Sequence, residues 1–239
     1  GQVHLVRGHA LAHRDGEGMK RREIQGVVFD VDGVLFDTER LGRLSWQAVG
    51  RELGYPHAAD HYLEFVGLNR TDAEAKMLSL FGPDFPCDYF MRMCSSCTQS
   101  FIERDGVPLK PGVGEILSFL RERDIPTALA TSSGRKRTAR RMEMAGLTSF
   151  FSAFITGDQV VHGKPDPEIY LLACQALDLP PEQTLAIEDS RNGILSASRA
   201  GMQVMMVPDL IPPAPELTAL LTACCLNLQA ARDWLACLP

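Results

Sequence analysis

The sequence predicts an α/β fold: a Rossmann-like parallel sheet core flanked by helices, with an all-helical cap inserted after the first strand. Short apolar runs alternate with helix-patterned stretches, the arrangement that yields a parallel sheet covered by helices. Almost a hundred residues separate the first apolar run from the second, far more than one crossover requires. Acids, hydroxyls and a lysine recur where apolar runs stop, and a parallel sheet gathers such ends on one edge.

The strands are predicted over residues 25–29, 126–130, 153–156, 184–187 and 203–207, with a weaker sixth at 223–226. Helices fall between them at 113–123, 135–145, 167–179, 190–200 and 228–236. Ser190 stands where an N-cap belongs, and Gly146 and Gly201 where helices stop. The interval from the first strand to the second reads as helices at 40–53, 71–80 and 88–103. The domain division that follows is a core of residues 19–38 and 106–239 and a helical cap of 39–105. A cap emerging beside the first strand end is well placed to enclose chemistry from water. Residues 1–18 lack an apolar block, do not resemble a secretory signal and read as a flexible leader or cloning remnant, with Met19 as a natural start.

The chain has 239 residues, 45% hydrophobic and 23% charged, enough to bury a substantial core. A net charge of −6 and scattered basic residues leave no footprint for nucleic acid. The one dense basic patch, Lys20-Arg21-Arg22, reads as the flank of the first strand. No apolar stretch reaches the roughly 20 residues of a membrane span. The seven cysteines have no framework spacing. Cys94 and Cys97 lie in a Met/Phe-rich helix and read as ordinary thiols, and Cys224 and Cys225 as core. A reducing cytoplasm and a monomeric protein are the expectations.

Four segments carry chemistry. After Gly26-Val27-Val28-Phe29 come Asp30 and Asp32, two residues apart and so pointing to one side of an extended chain. Two adjacent carboxylates repel unless a cation or a shared proton relieves them. The second segment, Leu129-Ala130-Thr131-Ser132-Ser133-Gly134, ends a strand in hydroxyls at a helix start, where a phosphate binds well and where an N-cap is the plainer role. The third is His162-Gly163-Lys164-Pro165-Asp166-Pro167, a lysine in a backbone fixed by proline, able to neutralise a carboxylate or phosphate oxygen. In the fourth, Glu188 and Asp189 close an apolar strand, suited to a hard cation or to capping the next helix.

In this order, with an insert after the first, these motifs resemble the haloacid dehalogenase-like hydrolases. The helical insert is similar to the cap of the beta-phosphoglucomutase and phosphoglycolate phosphatase branch, and Lys110-Pro111-Gly112-Val113 matches that branch at the return to the core. Asp37-Thr38-Glu39-Arg40-Leu41 and Ala200-Gly201-Met202-Gln203-Val204 resemble phosphatases of the pseudouridine-5′-phosphatase type. The resemblance implies an Mg2+-dependent phosphatase of a small phosphorylated metabolite, working through an aspartyl-phosphate. Asp30 is then the nucleophile and Asp32 the acid and base. Thr131, with the Ser132 amide, holds the phosphoryl group, and Lys164 offsets its charge. Mg2+ falls to Asp30, the Asp32 carbonyl and Asp189, with Glu188 a ligand or the partner of one.

An acid at position 32 sets the chain apart from the dehalogenase and phosphonatase branches, which lack one there. The alternative is a beta-phosphoglucomutase-type mutase, whose branch carries a histidine early in the first cap helix; that position is Gly42 here, which favours water as acceptor. A non-catalytic binding protein on this fold would lack a core residue, yet Asp30, Asp32, Thr131, Lys164 and Asp189 are all present. Gly67-Leu68-Asn69-Arg70 falls where the branch places its specificity loop, making Arg70, and more weakly Arg43, candidates for contact with the leaving group.

Overall fold

The computed structural model describes residues 23–66, 68, 70–210, 212 and 214–238. The leader at 1–18, Met19, the basic patch, and Gly67 and Asn69 of the specificity loop lie outside the described residues. The chain forms two compact units, one running through Phe36 and resuming at Leu109, the other spanning Asp37–Pro108.

The first unit is built on six parallel strands, β1 (Gly26–Phe29), β2 (Thr127–Thr131), β3 (Ala153–Thr156), β4 (Thr184–Glu188), β5 (Gln203–Met206) and β6 (Ala223–Cys224), in the order β3-β2-β1-β4-β5-β6. The strands are short and almost wholly buried, so they read as continuous apolar runs rather than as alternation. Val28, Ala128, Ala130, Ala186 and Val204 share one face and pack with Ile169, Tyr170, Ala173, Ile194 and Ala197. Those partners belong to α6 (Glu168–Ala176) and α7 (Arg191–Arg199). Completing the unit are α4 (Val113–Arg121), α5 (Arg135–Met144) and α8 (Leu228–Ala236). The sixth strand stops at Cys224, earlier than predicted, leaving Cys225 buried beyond it.

Four helix ends in this unit share one device. After α5 and α7, Gly146 (φ 68°) and Gly201 (φ 83°) turn left-handed, and the amides of Leu147 and Met202 reach back to the carbonyls of Met142 and Ala197. After α4 and α6 the same turn is made by Asp124 (φ 54°) and Asp178 (φ 55°), with Ile125 and Leu179 reaching back to Leu120 and Cys174. Both of these helices therefore stop short of the predicted residues 123 and 179.

The second unit holds α1 (Thr38–Glu52), α2 (Arg70–Phe81), α3 (Cys87–Asp105) and a 3-10 segment, Ala58–Glu64, that the sequence reading did not anticipate. Trp46, Val49, Phe65, Met77, Phe85 and Phe90 form its core, with the Trp46 and Phe90 rings edge to face at 5.0 Å. Among the described residues no helix is long and apolar enough to cross a membrane.

Candidate active site

Parallel pairing aligns the strand ends in register. Phe29 stands between Leu129 and Ile187, so Asp30, Ala130 and Glu188 come next in adjacent strands. The Asp30 amide bonds the Ile187 carbonyl at 3.0 Å, which carries the register one residue past the strand.

Lys164 joins these ends. Its Nζ donates to Asp30 Oδ1 (2.5 Å), the Ala130 carbonyl (2.9 Å) and Glu188 Oε1 (2.6 Å), exhausting the three donors of an ammonium. Its loop is fixed on both sides. The amides of Val161 and His162 bond the Glu168 carboxylate, the Lys164-Pro165 peptide is cis, and Arg199 holds the Pro165 carbonyl at 2.8 Å. Burial works against the Lys164 charge, but Asp30 and Glu188 outweigh it and hold its pKa above the usual lysine range.

Glu188 is saturated by protein donors. Oε1 also accepts from Tyr170 Oη at 2.6 Å, while Oε2 takes the amides of Asp189 (3.1 Å) and Ser190 (3.2 Å) and the Ser190 hydroxyl (3.1 Å). Burial, reinforced by Glu188, raises the Tyr170 pKa well above its usual value, so this phenol remains a donor. Gly193 is required beside it: a Cβ there would lie 1.8 Å from Glu188 Oε1. Ser190 caps α7 as predicted, accepting from the Gly193 amide at 3.1 Å.

Asp189 differs. Among the described residues no donor bonds its carboxylate, and burial, with Glu188 and Asp30 adding, holds its pKa well above the usual range. Asp30 is pushed up to about 7, chiefly by burial, against the pull of Lys164. Oxygens of Asp30, Glu188 and Asp189 lie within 4.8 Å of one another. The backbone makes room for this cluster at Gly33 (φ 90°), where a Cβ would lie 2.2 Å from Asp189 Oδ2. Three carboxylates against one ammonium leave uncompensated negative charge, and an all-oxygen set fits a hard divalent cation.

Asp32 sits apart from that cluster. Its Oδ1 accepts from Arg141 Nη1 and its Oδ2 from Ser133 Oγ, each at 2.8 Å. Thr131 is buried at the end of β2, and its Oγ1 accepts the Ser133 amide at 3.1 Å, leaving the hydroxyl proton to donate elsewhere. Ser132 is exposed, with Gly157 so close that a Cβ would lie 2.4 Å from the Ser132 carbonyl. The first amide of α5 is already taken by Asp158 at 3.0 Å, so that donor is not open to an anion.

Asp30, Lys164, Glu188 and Asp189 are thus brought together, with Thr131 at the end of β2 and Asp32 and Ser132 just beyond their strands. Arg70 and Arg43 belong to the other unit. There Arg70 pairs with Asp88 at 2.7 Å on the surface, and Arg43 is exposed. Within that unit a cavity of about 530 Å3 is lined by Trp46, Phe65, Leu68, Met77, Met91 and Arg70, among others. Sequence reasoning missed Arg141 and Tyr170, and it named Ser133 only as one hydroxyl of its segment and not as a partner of Asp32. Neither Arg141 nor Tyr170 carried a mark of its own, the first being one of five basic residues in α5 and the second part of an apolar stripe in α6.

The family model for haloacid dehalogenase-like hydrolases matches residues 24–201. A Thermotoga maritima protein named "Phosphorylated carbohydrates phosphatase" is 34% identical over 181 residues, 75% of this chain and 83% of its own. A Drosophila melanogaster protein named "Probable pseudouridine-5'-phosphatase" is 31% identical over 194 residues, 79% of this chain and 83% of its own. A HAD family hydrolase from Deinococcus radiodurans R1, solved with bound phosphate and sodium, superposes with a TM-score of 0.73 at 28% identity, covering 89% of this chain and 96% of that one. With its parallel sheet, its helical insert and a match extending over most of its length, this chain belongs to the haloacid dehalogenase-like hydrolases.

Proposed function

We propose that this hydrolase is an Mg2+-dependent phosphatase of a small phosphorylated metabolite, a sugar phosphate or a nucleoside-like monophosphate. The observation that carries the reading is the convergence of Lys164, Asp30, Glu188 and Asp189 at adjacent ends of a parallel sheet. The names of the two relatives above support it.

Asp30, with Oδ1 fixed by Lys164, presents its carboxylate to phosphorus. A P–O bond forms to Asp30 as the bond to the leaving oxygen breaks, and Asp32 supplies the proton which that oxygen takes up. In the second step Asp32 accepts a proton from water, whose oxygen attacks phosphorus and releases Asp30. Thr131 and the Ser132 amide hold the transferring group, and Lys164 balances charge on it and on Asp30. Asp30, Asp189 and the Asp32 carbonyl are the proposed holders of Mg2+, with Glu188, its oxygens already occupied, keeping Lys164 and the Asp189 backbone in place. When bound, the ion supplies further charge neutralisation at the phosphoryl oxygens, the dominant need in phosphoryl transfer.

A mutase reading is disfavoured by Gly42. A Cβ there would lie 2.1 Å from the hydroxyl of Tyr62, which itself donates to Glu39 at 2.7 Å. The space a histidine would enter is filled. The seven cysteines are all unpaired, which suits a reducing compartment such as the cytoplasm.

The test is release of inorganic phosphate from a panel of sugar and nucleoside monophosphates, with Mg2+ and with chelator. Hydrolysis is expected only with Mg2+, and Asp30→Asn should lower it by at least about 10^3-fold while the circular dichroism spectrum is unchanged. Interconversion of a hexose 1-phosphate and 6-phosphate without phosphate release would select the mutase. Inertness across the panel would leave a binding protein.

A further inference from the structure

Helix α5 carries five basic residues, Arg135, Lys136, Arg137, Arg140 and Arg141. Four are exposed, and Arg141 alone is buried, on the inward stripe with Thr138 and Met142. Leucine or methionine would pack at that position with no charge to desolvate. The guanidinium is not fully satisfied there either: its Nε is buried with no partner among the described residues. An arginine kept in so costly a place needs a reason beyond packing. Its Nη1 meets Asp32 Oδ1 at 2.8 Å, and the second oxygen of the same carboxylate meets Ser133 Oγ at 2.8 Å. Ser133 is itself immobilised, its amide on Thr131 Oγ1 and its carbonyl on the Gly157 amide at 3.0 Å. The Asp32 side chain is 29% exposed, and these two contacts restrict its choice among the staggered rotamers.

We infer that Arg141 is a positioning residue for Asp32. With Ser133 it fixes the plane and direction of the carboxylate that passes a proton to the leaving oxygen. Arg141 acts through Asp32 alone. This rests on the phosphatase reading above, and it identifies a residue of α5 that governs proton transfer from the side of the acid.

The experiment compares kcat/KM on two substrates with the Mg2+-loaded enzyme. An alkyl phosphate needs its leaving oxygen protonated, whereas 4-nitrophenyl phosphate, with a good leaving group, needs it far less. For Arg141→Met, kcat/KM on the alkyl ester should fall by roughly tenfold or more, part of the contribution expected of a general acid. On the aryl ester it should change by less than about threefold. A variant that is only partly folded loses both equally, so the ratio reports positioning and not structure. In an Asp32→Asn background Arg141→Met should cost nothing further. Should Arg141→Met fail to fold, Arg141→Lys carries the same test: one ammonium holds Oδ1 without fixing the plane, and the ratio moves the same way by a smaller factor. Equal losses on the two esters, or an undiminished loss on top of Asp32→Asn, would overturn the inference while leaving the phosphatase reading intact. Failure of the wild-type enzyme to hydrolyse either ester would overturn that reading, and this inference with it.

Discussion

Two lysines, one in each compact unit, make ion pairs of similar length with opposite consequences. Lys164 lies 2.5 Å from Asp30 and 2.6 Å from Glu188, its side chain 6% exposed. Lys76 lies 2.8 Å from Glu64, with the two side chains 35% and 46% exposed. The first joins the ends of three strands, with Asp30 lying 134 residues away along the chain, and every partner is buried. The second dresses the surface of a helical unit whose stability comes from the aromatic core around Trp46 and Phe90. Burial, not bond length, decides what an ion pair is worth, because water screens the exposed pair and cannot reach the other.

The sharpest way to break that comparison is to remove each ammonium. Lys164→Met strands two buried carboxylates beside each other, and the fold should lose about 3–5 kcal/mol by chemical denaturation. Phosphate release should fall by roughly 10^2–10^3-fold, as for loss of one preorganised donor. Lys76→Met should leave both the unfolding midpoint and turnover close to wild type. Equal effects of the two substitutions would mean that the sheet edge is as open to solvent as the helical surface.

The same contrast explains what was legible in the sequence. The strands and their terminal acids could be read because a buried parallel strand is a continuous apolar run and its end is abrupt. Gly146 and Gly201 marked helix ends, since glycine takes a left-handed conformation without strain. Asp124 and Asp178 make the same turn, but aspartate occurs in many other settings and gave no such mark, so those helices were read too long. Asp30, Lys164 and Glu188 were legible as a set because one fold must gather them. Arg141 was not, because a helix with five basic residues does not announce which one faces inward. Tyr170 was hidden in a buried stripe with Ile169, Ala173 and Cys174, where its ring reads as core and only the coordinates reveal the hydroxyl on Glu188. In the helical unit the segment Ala58–Glu64 lacks apolar periodicity, and tertiary packing around Tyr62 and Phe65 organises it instead.

A smaller effect follows from the charge left over at the sheet edge. Burial raises the Asp30 pKa from 3.8 to about 7 in the metal-free protein, so the folded state retains a proton that the unfolded chain has lost. The stabilisation from that proton is complete below 3.8 and disappears as pH rises through about 7. Cation and proton compete for the same oxygens. Mg2+ affinity measured by calorimetry should therefore rise with pH through about 7, and Asp189, whose pKa burial also raises, should add to that dependence. Repeating the titration in buffers of different ionisation enthalpy should reveal proton release on binding. A flat affinity from roughly pH 5 to 8 would show that Asp30 does not hold the ion.

The smallest stability change is expected at Arg70. Its pair with Asp88, 2.7 Å long between side chains 82% and 61% exposed, belongs with Lys76 and not with Lys164. Arg70→Ala should leave the melting temperature where it is. If Arg70 nevertheless recognises the leaving group, kcat should stay constant while KM rises several-fold, most for substrates bearing a second anionic group, because an exposed arginine binds ground and transition states alike. Asp88→Ala frees the same guanidinium and should move KM the other way. Unchanged KM in both variants would make Arg70 an ordinary surface residue.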